Sequence, residues 1–159
     1  MGNVYYSYCI KPFAPELAEA TAEVIRRNLQ EVNCKDYPPK VIEAMIKYYS
    51  SENLINIAEK RKVYVVEVKG VIKATGSLEG NGICTVFVNP DHHGSGLGRL
   101  LMEYLEEQAA ARGYEATTLD ASLTALPFYA KMGYVEVKSI ESEEFGKAIV
   151  MEKKLSKDI

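Results

Sequence analysis

The chain has no tryptophan, two histidines that stand side by side at His92 and His93, and only three cysteines, Cys9, Cys34 and Cys84, at irregular spacing. Adjacent histidines and scattered thiols, without a Cys-x-x-Cys pair, supply too few ligands for a zinc site, so no metal is expected. An odd, sparse set of thiols suits a reducing compartment, and a cytoplasmic location follows as an expectation. A large excess of one charge sign is missing too. The formal net charge is −3 with no basic stripe, which argues against a nucleic-acid partner. No apolar run is long enough to span a bilayer, and no basic start leads into an apolar stretch, so neither a membrane span nor a secretory leader is expected. Repeats, linkers and low-complexity tracts are absent.

What is present fits one globular domain over 1–159. Hydrophobic residues make up 47% and charged residues 26% of 159 positions, the ordinary balance of a packed domain. Asn3 to Lys11 alternates as a first strand. After Pro12 and Pro15, Glu16 to Leu29 carries Leu17, Ala20, Val24 and Ile25 on one helical side. A helix opening at Pro39 shows Val41, Ala44, Met45, Tyr48 and Tyr49 at three-and-four spacing. From Lys62 the pattern turns to strands: Val63 to Val68, Val71 to Leu78 and Ile83 to Val88, joined by the short turns Lys69-Gly70 and Glu79 to Gly82. Turn length makes these an antiparallel meander. The third strand is apolar almost throughout and suits the middle of a sheet, where Cys84 reads as a small core residue. The clearest helix runs from about Ser95 to Ala111 and stops at Gly113. A short strand at Glu115 to Leu119, a short helix at Leu123 to Met132, and strands at Tyr134 to Ile140 and Ala148 to Lys153 complete an α/β (α+β) order. The expected architecture is a mixed, mostly antiparallel sheet of about seven strands flanked by about four helices.

The most informative segment lies between the third strand and that helix: His93-Gly94-Ser95-Gly96-Leu97-Gly98. Glycines at alternate positions free successive backbone N–H groups to point into one concavity, and the helix start adds unpaired donors and a positive dipole end. A diphosphate suits such a seat, with Arg99, His92 and His93 at its rim. Two other phosphate motifs fail on spacing. A P-loop requires lysine and then Ser or Thr after its glycines, where Arg99-Leu100 stands. A dinucleotide fingerprint requires a third glycine at position 99.

The stretch from Val86 to Leu101 resembles the acetyl-CoA motif of the GNAT acetyltransferase superfamily: Gln or Arg, two residues, Gly, one residue, Gly or Ala. His93 takes the Gln/Arg place, and Gly96 and Gly98 are the small residues. Downstream, Leu119-Asp120-Ala121-Ser122, Ala125 and Phe128-Tyr129-Ala130-Lys131-Met132-Gly133-Tyr134 are similar to the family's second signature. The resemblance covers about Val63 to Tyr134. It implies acetyl-CoA as co-substrate, held by the backbone from Gly94 through Ser95, Gly96, Leu97 and Gly98 to Arg99, with His93 at the entrance. The backbone around Phe87 and Val88 would pair with the pantetheine arm between parted strands, and Ser122 stands where many relatives carry Asn. Relatives commonly form homodimers, which leaves that assembly open.

Amide formation from a thioester requires a neutral amine, a polarised carbonyl and a proton for the leaving thiolate. A lysine-like amine with pKa about 10.4 is neutral in only one molecule in a few thousand at pH 7, so a base or desolvation is needed. Tyr129 is the expected general acid, since a phenol is neutral at that pH and can donate. A backbone N–H near Val88 can polarise the carbonyl. Glu79, at the end of a central strand near the acyl end, is the candidate base, with a water chain as the alternative. Tyr37, Tyr48 and Tyr49 are candidates for the wall of the acceptor pocket. The expected reaction is acetyl transfer to a primary amine of a small molecule or amino-acid derivative. Acetylation of a protein N-terminus or lysine, and a non-catalytic CoA-binding sensor, are the alternatives.

Overall fold

The computed structural model of the chain describes residues 7–156. Its elements run β1 (Tyr8–Pro12), α1 (Ala18–Glu31), α2 (Pro39–Tyr48), α3 (Ser51–Lys60), β2 (Lys62–Val68), β3 (Val71–Glu79) and β4 (Gly82–Val88). They continue with α4 (Leu97–Ala111), β5 (Ala116–Ser122), α5 (Leu126–Lys131), β6 (Val135–Ser142) and β7 (Gly146–Lys154). Positions 3–6 of the expected first strand lie outside the described residues. The strand order is β1-β2-β3-β4-β5-β7-β6, and β4 with β5 is the parallel pair in an otherwise antiparallel sheet. The expected meander is therefore β2-β3-β4, and the apolar third strand holds the centre.

Helices cover both faces of the sheet, and β2 shows why its sequence is apolar at nearly every position. Val63 packs with Ile25, Leu29, Val41, Ile42, Leu54 and Ile57 of α1 to α3, while Tyr64, Val66 and Val68 join Leu101, Met102 and Leu105 of α4 on the opposite face. A strand buried on both sides has no room for the polar half of an alternating pattern. The three-and-four spacing of α1 buries Thr21, Val24, Ile25, Asn28 and Leu29. Helix α3 follows α2 after a break at Tyr49, and Ser50 caps it by accepting from Asn53 N–H at 3.2 Å. That cap makes two helices where the apolar spacing shows one.

Two irregularities in β4 shape the molecule. Its parallel pairing with β5 ends at Ile83 opposite Leu119, although β5 continues beside β7 as far as Ser122 opposite Ala148. Against β3, Ser77 pairs with Cys84 but Thr75 pairs with Phe87, so β4 carries one extra residue. This is a β-bulge, which bends and twists the strand that holds it. Beyond Ile83, β4 and β5 diverge.

Candidate active site

The divergence opens a cleft of about 990 Å³ that runs through the sheet. Phe87, Val88, Gly94, Gly96, Gly98, Arg99, Ser122, Thr124, Ala125, Phe128 and Tyr129 line one stretch of it. Tyr37, Tyr48, Tyr49, Phe145 and Lys147 belong to the wall nearer α2 and the β6-β7 turn. Ligand sites of such size are typically apolar with a few fixed polar groups, and this wall has that character.

The loop end is built by backbone geometry. Gly94 and Gly96 sit at φ +80 and +88 on either side of Ser95, and Gly96 is the residue that opens α4. Alternation of left-handed and ordinary backbone turns consecutive N–H groups toward one point, at the start of a 15-residue helix. Gly98 is small for a different reason. A Cβ placed there would stand 3.3 Å from Phe128 Cζ and 3.4 Å from Val88 Cγ2, closing the neck between β4 and α5. Leu97 contributes backbone only, since its side chain is buried in the core. Ser95 Oγ donates to the His92 carbonyl at 2.5 Å and so stiffens the loop. Arg99 stands at the rim, exposed and 3.6 Å from Glu103.

The loop is also tied to its neighbours. His93 Nε2 lies 3.0 Å from the Val88 carbonyl, and Asn28 Nδ2 of α1 donates to the same oxygen at 2.8 Å. Arg27, one residue earlier, donates to both carboxylate oxygens of Asp91 at 3.0 and 3.2 Å. That guanidinium holds the Asp91 carboxyl below its usual range, while burial lowers the His92 imidazole. Asn28 and Arg27 were not singled out from sequence. The signal was present in Asn28, a polar residue in register with the buried stripe of Thr21, Val24 and Ile25.

At the other end, Tyr129 of α5 is buried in the cleft wall, and its phenol lies near the Cys84 thiol. Burial pushes the phenol well above the usual tyrosine range, which keeps it protonated across physiological pH. Cys84 lines the cleft half-buried rather than packing as a closed core residue, because the β4-β5 gap exposes it. Burial raises its thiol, which makes it a poor nucleophile. The Ser122 hydroxyl is engaged in the turn that follows β5, accepting from Ala125 N–H at 3.1 Å. Thr124, two residues on, carries a buried Oγ1 with no hydrogen-bond partner and faces the same cleft. Nothing in the sequence around Leu123-Thr124-Ala125 marks it. Glu79 is not brought into this wall: its exposed carboxylate stands 3.6 Å from Arg61 Nε at the end of β3.

Tyr37 ties three elements together. Its hydroxyl donates to the Lys147 carbonyl at 2.5 Å and accepts from Leu123 N–H at 2.9 Å. Tyr48 meets Phe145 of the β6-β7 turn edge-on at 5.4 Å between centroids, and Tyr49 meets Phe87 at 5.5 Å. Aromatic edges thus join the N-terminal helices to the far side of the cleft.

A backbone nest at a helix start, opening into a slot between parted parallel strands, has the geometry to seat an extended ligand with an anionic end. The sequence model for the acetyltransferase (GNAT) domain matches residues 22–155. The chain belongs to the GNAT acetyltransferase family. A GCN5-related N-acetyltransferase from Rhodopseudomonas palustris is 28% identical, with a TM-score of 0.89 covering 98% of this chain and 100% of that one. The PaiA N-acetyltransferase of Thermoplasma acidophilum, solved with coenzyme A, is 20% identical at a TM-score of 0.79, covering 94% and 99%, and shares the fold. A glucosamine 6-phosphate N-acetyltransferase of Trypanosoma brucei brucei is 37% identical over 62 residues, a match that spans 39% of this chain and 39% of that relative's length.

Proposed function

We propose that the chain transfers the acetyl group of acetyl-CoA to a primary amine of a small molecule or amino-acid derivative by direct attack. The observation that carries this reading is the continuity of one cleft, from the glycine nest at residues 94–98 to the Tyr129 phenol. The residues present suit the co-substrate. Gly94 and Gly96 turn donors toward a diphosphate, Gly98 keeps the neck open, and the unpartnered Thr124 hydroxyl offers a polar contact within it. His93, Ser95, Leu97 and Arg99 shape the nest, Phe87 and Val88 flank the pantetheine arm, and Ser122 fixes the turn beside it.

When bound, acetyl-CoA supplies an acyl group already activated as a thioester. Binding in a cleft lined by apolar and aromatic groups favours the neutral amine, because desolvation penalises the ammonium form. The amine nitrogen bonds to the carbonyl carbon, the carbon–sulfur bond breaks, and the nitrogen sheds its proton to water. Tyr129 gives its phenolic proton to the departing thiolate and is reprotonated from solvent. A backbone N–H of β4 near Val88 stabilises charge on the carbonyl oxygen. Glu79 stands exposed beside Arg61 and outside the lining of the cleft, which favours water as the immediate proton acceptor.

The aromatic link between Tyr48 and Phe145 joins α2 to the β6-β7 turn in the cleft wall, which supports a small acceptor over a polypeptide. The decisive experiment is a panel of small amines and peptide N-termini with acetyl-CoA, followed by release of free thiol. Turnover with small amines supports the reading. Turnover confined to peptides shifts it to protein acetylation, and saturable CoA binding with no turnover on any amine makes the chain a sensor.

A further inference from the structure

Thr85 is a β-branched residue held at φ +53 within β4. Side chains of that type avoid the left-handed region, so the conformation persists only where surrounding groups enforce it. Thr85 is also one of the two bulge residues that stand opposite the single Gly76 of β3. Thr85 and Val86 have a register partner on neither β3 nor β5, which leaves their peptide groups at the point where the cleft opens. One could read this as a defect of the strand, but the neighbouring side chains argue otherwise.

Arg61, just before β2, donates from Nη1 to Thr85 Oγ1 at 3.3 Å. Its Nε is buried without a hydrogen-bond partner and faces the Glu79 carboxylate at 3.6 Å, an ion pair that fixes the guanidinium from behind. Tyr49, which follows α2, lies against the Thr85 side chain, and its ring is set by edge-on contact with Phe87. Arg61, Tyr49 and Thr85 all line the cleft. A charged side chain four-fifths buried, aimed at the hydroxyl of the one strained residue in β4, is costly unless it holds something in place.

We infer that Arg61 is a positioning residue: with Tyr49 it holds Thr85 in the left-handed conformation and so presents the Thr85 and Val86 peptide groups to the substrate in the cleft. Glu79 then serves the same site through Arg61. The role in turnover rests on the acetyltransferase reading above, whereas the role in shaping β4 does not.

The test is a double-mutant cycle between Arg61→Gln and Thr85→Gly, because glycine adopts positive φ without help. Arg61→Gln alone lowers kcat by about 10-fold or more, while the affinity for CoA, set at the glycine nest, stays within about 3-fold. In the Thr85→Gly background the same substitution costs less than about 3-fold. An equal loss in both backgrounds overturns the inference. Should the glycine variant fail to fold, Thr85→Asn takes its place, since asparagine tolerates this region next best. Amide hydrogen exchange on the ligand-free protein is the second arm. Arg61→Gln speeds exchange at the paired residues flanking the bulge, Cys84 and Phe87, by about 10-fold or more and leaves residues 117–119 of β5 unchanged. Unaltered exchange at Cys84 and Phe87 overturns the inference, whether or not the protein acetylates any amine. A wild-type chain without turnover sinks the proposed reaction and leaves the exchange result to decide the clamp.

Discussion

In the proposed reaction the phenol of Tyr129 separates binding from chemistry. Tyr129→Phe removes the proposed proton donor but keeps the ring that packs beside Phe128 and Tyr134 at 5.1 and 5.9 Å. The expected outcome is a loss of kcat of about 100-fold or more with CoA affinity within about 2-fold, measured by thiol release and calorimetry. The same residue predicts a pH effect on stability. Burial raises the folded-state pKa of Tyr129 above its unfolded value, so the fold favours the protonated phenol. That contribution is complete below the unfolded value of about 10 and is lost as pH climbs toward the raised folded value. Tyr129→Phe should therefore flatten the decline of the urea midpoint between about pH 9.5 and pH 11. An unchanged alkaline slope would mean that the phenol titrates in the fold as it does in water. Tyr134 is raised by burial as well, but its hydroxyl is engaged with Thr117 at 2.8 Å and Glu106 at 2.9 Å, so its role is structural.

At the scale of elements, the junction of β4 and α4 carries the proposed anion seat. Gly96→Ala puts a Cβ on a residue at φ +88, which costs roughly 1–2 kcal/mol of stability and shifts the nest. A fall in CoA affinity of about 10-fold, with a melting temperature lower by only a few degrees, is the predicted pattern. Much of this junction was legible before any coordinates. Three alternate glycines after an apolar strand and before an amphipathic stretch can hardly be placed otherwise. The boundaries moved for local reasons: α4 begins at Leu97 rather than Ser95 because Gly96 is left-handed. Helix α3 escaped because the Ser50 cap sits inside a polar stretch without a glycine or proline to mark it. The bulge at Thr85 was illegible, since nothing about threonine announces positive φ. The apolar strand around Cys84 reads as core, and only the end of the β4-β5 pairing exposes the thiol. Asn28 and Thr124 are of common types, and their importance comes from partners distant in sequence or from the lack of one.

For the whole molecule, the cleft depends on the N-terminal helices and the C-terminal hairpin being held in register across it. Tyr37 does this with one hydroxyl shared between Lys147 and Leu123. Tyr37→Phe removes both hydrogen bonds at a buried site and should lower stability by about 1–3 kcal/mol, read from the denaturant midpoint. An accompanying rise in acceptor KM, with little change in the KM for acetyl-CoA, would place the damage at the acceptor side. Equal changes in both would mean a general loosening of the fold. The seating of a diphosphate on main-chain donors at residues 94–98 underlies every step of the proposed reaction, and calorimetric titration tests it directly. Coenzyme A should bind saturably at one site per chain, and pantetheine, which has the arm but no diphosphate, should bind at least about 10-fold more weakly. Absence of CoA binding, or pantetheine binding as tightly as CoA, would contradict it.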